Sequence, residues 1–127
     1  MSVRPTAAIL VAPGTNRDRD VALALNLAGA DSVVVSITDL ERDANVINTA
    51  QMIVIAGGFS FADALGSGHV FALELEMLLG DRLQQAVGDG RPIIGICNGF
   101  QTLVRMGLLS SGAGAMALDH NERGLFD

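Results

Sequence analysis

Chemistry in this sequence is concentrated at one cysteine. Cys97 is the only cysteine of 127 residues and lies inside Pro92-Ile93-Ile94-Gly95-Ile96-Cys97-Asn98-Gly99-Phe100-Gln101. The isoleucine-rich run before it reads as a buried strand of a parallel sheet. From Asn98 onward the apolar spacing changes to Phe100, Leu103 and Val104, the period of a helix, and Gly107 offers the helix end. Cys97 therefore falls at a strand-to-helix turn, with Gly95 and Gly99 leaving room around it. This is the pattern of a nucleophile elbow, which lifts a side chain over the end of a sheet at a helix N-terminus. Free N–H groups and the helix dipole favour an anion there and can steady an oxyanion. A lone cysteine is ordinarily an inert small hydrophobe; the glycine-flanked turn weighs for chemistry.

Other residues could join it. Gly57-Gly58 directly follows an apolar run. The pair reads equally as a tight turn or as a place where backbone N–H groups approach a ligand that a Cβ would hinder. Gln101 is four residues beyond Cys97, on the same helical face, and reads as a solvated side chain or as one reaching a polar substrate. Asp63 and His69 are candidate partners for the thiol, although a loop aspartate is usually a turn residue and His69 opens an apolar helix. His120 reads as solvated in a polar turn. Pro13-Gly14-Thr15-Asn16 could cradle a phosphate at a helix N-terminus but lacks P-loop spacing.

The elements that must position these residues follow from the hydrophobic pattern. Strands are expected at Ala7–Ala12, Ser32–Ile37, Met52–Ala56 and the run before Cys97. A first helix carries Asp18 and Asp20 in its first turn, is capped by Asn16 or Thr15, and ends at Gly29. Thr38–Ala50 is polar and reads as a loop with one helical turn. Phe71, Leu75, Leu78, Leu79 and Leu83 define a long helix that ends at Gly88-Asp89-Gly90. Ser110–Ala115 reads as a flexible loop. This order implies an α/β fold, a parallel sheet with helices on both faces, with ligands beyond the carboxyl ends of the strands. Three glycine-bearing turns meet that edge: Pro13–Asn16, Gly57–Gly68 and Cys97–Gly99.

The bulk composition narrows the function classes. The length suits one domain with a real core. Net charge is −6, and all eight basic residues are scattered arginines, with neither Trp nor Tyr. No phosphate-tracking stripe results, so nucleic acid is not an expected partner. With two separated histidines and one cysteine, no metal-ligand cluster is expected. The apolar runs are too short to cross a bilayer, no apolar leader opens the chain, and a single cysteine suits a reducing cytoplasm.

Gly95-x-Cys97-Asn98-Gly99-Phe100-Gln101 resembles the Gly-x-Cys-x-Gly-x-Gln nucleophile motif of class I, triad-type glutamine amidotransferases. Asn98, with Gly107-Leu108-Leu109, is similar to one branch, the glutaminase of phosphoribosylformylglycinamidine synthase in purine synthesis. Pro13–Asn16, Gly57-Gly58-Phe59-Ser60, Asp63 and Asn121-Glu122-Arg123-Gly124-Leu125-Phe126 match that branch in the same order along the chain. The resemblance implies that Cys97 attacks the glutamine amide to give a thioester and ammonia. It gives the oxyanion to the N–H groups of Gly58 and Asn98, and glutamine binding to Gly57, Phe59 and Gln101. The ammonia would go to a synthetase subunit, which is expected to hold ATP and Mg; no cofactor is implied for this chain.

Three departures stand out. Ala56 replaces the usual Pro and Ala62 a usual Gly, and both are expected to be tolerated. The His-x-Glu that completes the family's triad is absent from these 127 residues, and neither His69 nor His120 aligns with it. The chain thus resembles roughly the N-terminal half of a glutaminase domain, with little activity and some self-association expected of it alone. Two other readings accompany this one. In the first, a catalytically incomplete scaffold docks on a synthetase. In the second, a flavodoxin-like module binds a phosphorylated ligand at Pro13–Asn16.

Overall fold

A computed structural model describes residues 3–110, 115–120 and 122–123. Four strands form one parallel sheet in the order β2-β1-β3-β4: β1 Thr6–Val11, β2 Asp31–Ser36, β3 Met52–Ile55 and β4 Ile93–Gly95. The helices are α1 Asp18–Leu27, α2 Ile37–Arg42, α3 His69–Gly88 and α4 Asn98–Met106, with short 3-10 turns at Ala44–Thr49 and Ser60–Asp63. The expected parallel α/β sheet is present.

β1 and β3 are the inner strands, and their apolar runs are buried on both sides, with Ala7, Ala8, Ile9 and Leu10 in β1 and Ile53, Val54 and Ile55 in β3. Alternation assigns them to two faces. Ala8, Leu10, Ile53 and Ile55 pack with Leu40 of α2, with Phe71, Leu75, Leu79 and Leu83 of α3, and with Leu103 of α4. Ile9 and Val54 pack on the other face with Val21, Ala22 and Leu25 of α1. The split follows from crossover handedness. The chain steps one way from β1 to β2 and the other way from β2 to β3 and β4, so right-handed connections place α1 opposite α2 and α3. Each fully buried large side chain contributes about 1.5–3 kcal/mol, and α3 supplies four of them on one stripe.

Three expectations are corrected. The run before Cys97 is an edge strand, not a buried one, with Ile94 and Ile96 exposed and, among the described residues, β3 alone beside it. Residues 38–50 are not a loop with one turn: α2 and a 3-10 turn fill most of it. Ser36 and Asp39 form a reciprocal capping box at the start of α2, the side chain of each accepting from the other's backbone N–H at 3.1 and 2.9 Å. Ile37, Leu40 and Ile47 are then buried. Neither Thr15 nor Asn16 caps α1, whose N-cap is Arg17 without a side-chain bond. Thr15 Oγ1 instead accepts from the Ala12 N–H at 3.1 Å, tightening the turn out of β1. The expected helix ends at Gly29, Gly90 and Gly107 are all glycines with positive φ. Residues 111–114 of the expected flexible loop, and most of the Asn121–Phe126 match, lie outside the described residues.

Candidate functional site

The strand order reverses between β1 and β3, and in such sheets the diverging carboxyl ends open a crevice. Two of the glycine-bearing turns interlock there. Thr15 and Gly58 form an antiparallel bridge, with the Phe59 N–H donating to the Gly14 carbonyl at 3.0 Å and the Asn16 N–H to the Gly57 carbonyl at 3.3 Å. Gly14 has φ +92, and a Cβ on it would come within 1.9 Å of the Phe59 carbonyl oxygen, so only glycine permits this contact. The Pro13–Asn16 turn is thereby committed to protein contacts. Its N–H groups at Thr15 and Asn16, and that of Arg17, all donate to backbone carbonyls. Three of the donors that a phosphate cradle would need there are thus taken, and among the described residues only the Gly14 N–H of the turn is left for an anion.

Cys97 follows β4 and serves as the N-cap of α4 with φ 54 and ψ −112, a conformation that side chains rarely adopt. The elbow is made possible by its glycines. A Cβ on Gly99 would stand 1.9 Å from the Ile55 carbonyl oxygen, and one on Gly95 would stand 2.7 Å from the Gly99 carbonyl oxygen and 2.6 Å from Leu103 Cδ1. α4 is thus seated directly on the backbone of β3. The result is an exposed thiol, not one buried among aliphatic neighbours. Gly57 is buried beside it; a Cβ there would lie 3.4 Å from Cys97 Cβ. Gly58, with φ +135, turns the next peptide, and among the described residues neither its N–H nor that of Asn98 has an acceptor. The Asn98 N–H belongs to the first turn of α4, whose donors have no intrahelical partner. An open thiol, two unclaimed N–H groups and a positive helix end are a chemistry suited to attack on a carbonyl carbon.

Asn98 and Ser60 are each only 2 % exposed, and their side chains are bonded to each other. Asn98 Oδ1 accepts from the Ser60 N–H at 3.2 Å and from Ser60 Oγ at 2.6 Å. Asn98 Nδ2 donates to Asp63 Oδ1 at 3.0 Å and to Gln101 Oε1 at 3.4 Å. Gln101 is half-buried on the same helical turn, its N–H donating to the Cys97 carbonyl at 3.0 Å. Phe59 projects outward, 63 % exposed. Gln101, Asp63 and the exposed His120 border a cleft of about 420 Å³, together with Arg105. Arg105 Nε bonds the Ser67 carbonyl and holds the loop before α3.

Of the residues singled out in the sequence, Gly57, Gly58, Cys97, Asn98 and Gln101 converge. Asp63 reaches the cluster through Asn98, and no hydrogen bond among the described residues joins it to Cys97. His69 stands at the start of α3 beside a different cleft, of about 290 Å³, with Ala72, Glu76 and Val104. Ser60, named only within the Gly57–Ser60 match, and Thr102, whose Oγ1 donates to the Asn98 carbonyl at 2.9 Å, were given no role from the sequence. A side-chain amide at the first position of a buried helix end must find partners, and that requirement was the available signal. Among the described residues no three His, Cys, Asp or Glu side chains converge as metal ligands, and no helix is long and apolar enough to cross a membrane.

Comparison with known proteins matches residues 4–127 to the CobB/CobQ-like glutamine amidotransferase domain. Phosphoribosylformylglycinamidine synthase subunit PurQ of Treponema denticola is 49 % identical over 107 residues, which cover 84 % of this chain and 40 % of that protein. The subunit of the same name from Thermotoga maritima is 37 % identical over 124 residues, covering 98 % of this chain and 52 % of that protein. A solved structure of PurLQS from Thermotoga maritima superposes with a TM-score of 0.77 at 35 % identity, over 96 % of this chain and 51 % of that one. The chain spans about half the length of the curated relatives it matches. A sheet with these turns, a thiol at this elbow and a family match over almost the whole length lead to one assignment: the chain belongs to the CobB/CobQ-like glutamine amidotransferase domain family.

Proposed function

We propose that this chain is the thiol-bearing part of a glutaminase that serves phosphoribosylformylglycinamidine synthase. Cys97 Sγ attacks the side-chain carboxamide carbon of glutamine. The N–H groups of Gly58 and Asn98 hold the resulting oxyanion, while Gly57, Phe59 and Gln101 hold the glutamine. Collapse of the adduct breaks the C–N bond, the thiol proton leaves with the nitrogen as ammonia, and water later releases glutamate from the γ-glutamyl thioester. The ammonia passes to a synthetase subunit, where ATP and Mg drive amination of formylglycinamide ribonucleotide in the cytoplasm. The observation that carries this reading is the exposed Cys97 on its strained turn, beside Gly57 and the two unclaimed N–H groups. Family membership and the names of the relatives supply the substrate class.

The test is covalent labelling by a diazoketone analogue of glutamine. Labelling at Cys97 that glutamine competes away, and that Cys97→Ser abolishes, is the expected result. Failure of glutamine to compete would overturn the reading.

A second reading has an observation of its own: among the described residues no hydrogen bond joins Cys97 to a histidine that could move its proton. A non-catalytic subunit that docks on a synthetase would share that feature. Tight binding to a synthetase without any labelling of Cys97 would favour it. Slow ammonia release by the isolated chain, despite labelling, is expected under the first reading.

A further inference from the structure

We infer that the Asn98 carboxamide is a positioning residue that clamps the Gly57–Asp63 loop and Gln101 to the cysteine elbow; what it positions rests on the glutamine reading above. Its entire bonding capacity is in use. A primary amide offers two acceptor sites and two donor hydrogens, and here the oxygen takes the Ser60 N–H and Oγ while the nitrogen gives to Asp63 and Gln101. The orientation is not interchangeable. The Ser60 N–H can only donate, so Oδ1 must face it. The Asp63 carboxylate, when ionised, can only accept, so Nδ2 must face it. No other side chain bridges these two ends of the loop among the described residues.

The loop needs a clamp because its backbone is not in a resting conformation. Phe61, Ala62 and Asp63 have φ of 50, 50 and 56, three successive left-handed residues without a glycine. Ser60 lies immediately before them, so relaxation of the turn would draw Ser60 and Asp63 away from the Cys97 elbow, while Gly57 and Phe59 stay bonded to the Pro13–Arg17 turn. The carboxamide belongs to the residue whose own N–H is the second unclaimed donor. One residue thereby ties the far half of the loop to the helix end that carries that donor.

Asn98→Asp tests this with almost no change of shape, because it places a second carboxylate about 3 Å from Asp63 Oδ1. Near pH 8, labelling of Cys97 by the diazoketone analogue is expected to slow about tenfold relative to the unaltered chain, while alkylation by iodoacetamide changes less than about twofold. Adding Asp63→Asn returns a donor to the pair and should restore labelling to within about threefold. A merely structural lesion would not be rescued by the second substitution. Equal labelling of Asn98→Asp, or a double variant no better than the single one, overturns the clamp. Amide exchange at Ser60 separates this from the function: it should quicken in Asn98→Asp and slow again in the double variant. If the unaltered chain is never labelled, the glutamine reading falls and the exchange result alone decides the clamp, unchanged exchange overturning it.

Discussion

Gly99 and Ile55 meet backbone to backbone: a Cβ on the glycine would lie 1.9 Å from the isoleucine carbonyl oxygen. This contact seats α4 on β3 and fixes the height of the thiol above the sheet. Neither partner can yield, because the carbonyl belongs to an inner strand. Gly99→Ala is therefore expected to cost about 3 kcal/mol, the upper part of what overpacking usually costs. Urea denaturation measures it; a loss below about 1 kcal/mol would show that the contact is soft.

Cys97 sits at φ 54 and ψ −112, where a side chain is strained. Such strain is worth about 1–3 kcal/mol, and glycine would release it against an entropic cost of about 0.5–1 kcal/mol. Cys97→Gly should abolish labelling and yet raise stability by about 1 kcal/mol, while Cys97→Ala leaves stability nearly unchanged. Ala62→Gly, at φ 50, should stabilise in the same way. Thermal denaturation of the three variants decides it. A chain destabilised by Cys97→Gly would mean that the elbow is not strained.

The Ser36–Asp39 capping box has a pH signature. The Ser36 N–H, bonded to the Asp39 carboxylate, holds its pKa below the ordinary value of 3.8, with help from the Ser36 side chain. A lowered folded pKa means a contribution fully present above the unfolded value and lost as pH falls through the folded one. The stability difference between the unaltered chain and Asp39→Ala should be constant near neutrality and shrink only below the ordinary carboxylate range. A difference that persists undiminished into strong acid would contradict this.

Among the described residues β4 pairs only with β3, and its neighbourhood exposes apolar surface. Ile94 and Ile96 are 42 % and 46 % exposed, on the face where α1 covers Ile9 and Val54 but does not reach them. An open strand edge beside uncovered isoleucines favours association between copies. Light scattering should give a mass that rises with concentration above the 13.2 kDa of one chain. Ile94→Lys should bring it back toward that value. A clean monomer at high concentration would refute the expectation.

The sheet was legible because its inner strands are continuous apolar runs, and the meeting of Gly57, Gly58 and Cys97 at one edge was legible because each follows a strand; Gln101 had only its four-residue spacing from Cys97, which left a solvated side chain open as well. Residues 37–49 were misread for a physical reason: Ile37, Leu40 and Ile47 are too sparse for a helical period, and α2 owes its start to Ser36 and Asp39. The Pro13–Asn16 turn was ambiguous because a phosphate and a neighbouring peptide ask for the same N–H groups; the Ala12 carbonyl takes that of Thr15, and the Gly57 carbonyl takes those of Asn16 and Arg17. The role of the Asn98 side chain could not be read from spacing, since Ser60 and Asp63 reach it only through the reversed turn at residues 61–63.

Among the described residues the strand leading to the sulfur is paired at three positions, Ile53 with Ile93, Val54 with Ile94 and Ile55 with Gly95, with one backbone bond beyond at each end, from the Ile53 N–H to the Pro92 carbonyl and from the Ile96 N–H to the Ile55 carbonyl. A rim so lightly stitched can fray while the central strands stay shut. Warming should therefore silence the thiol's selectivity for its ligand several degrees before the far-ultraviolet signal of the fold begins to fall.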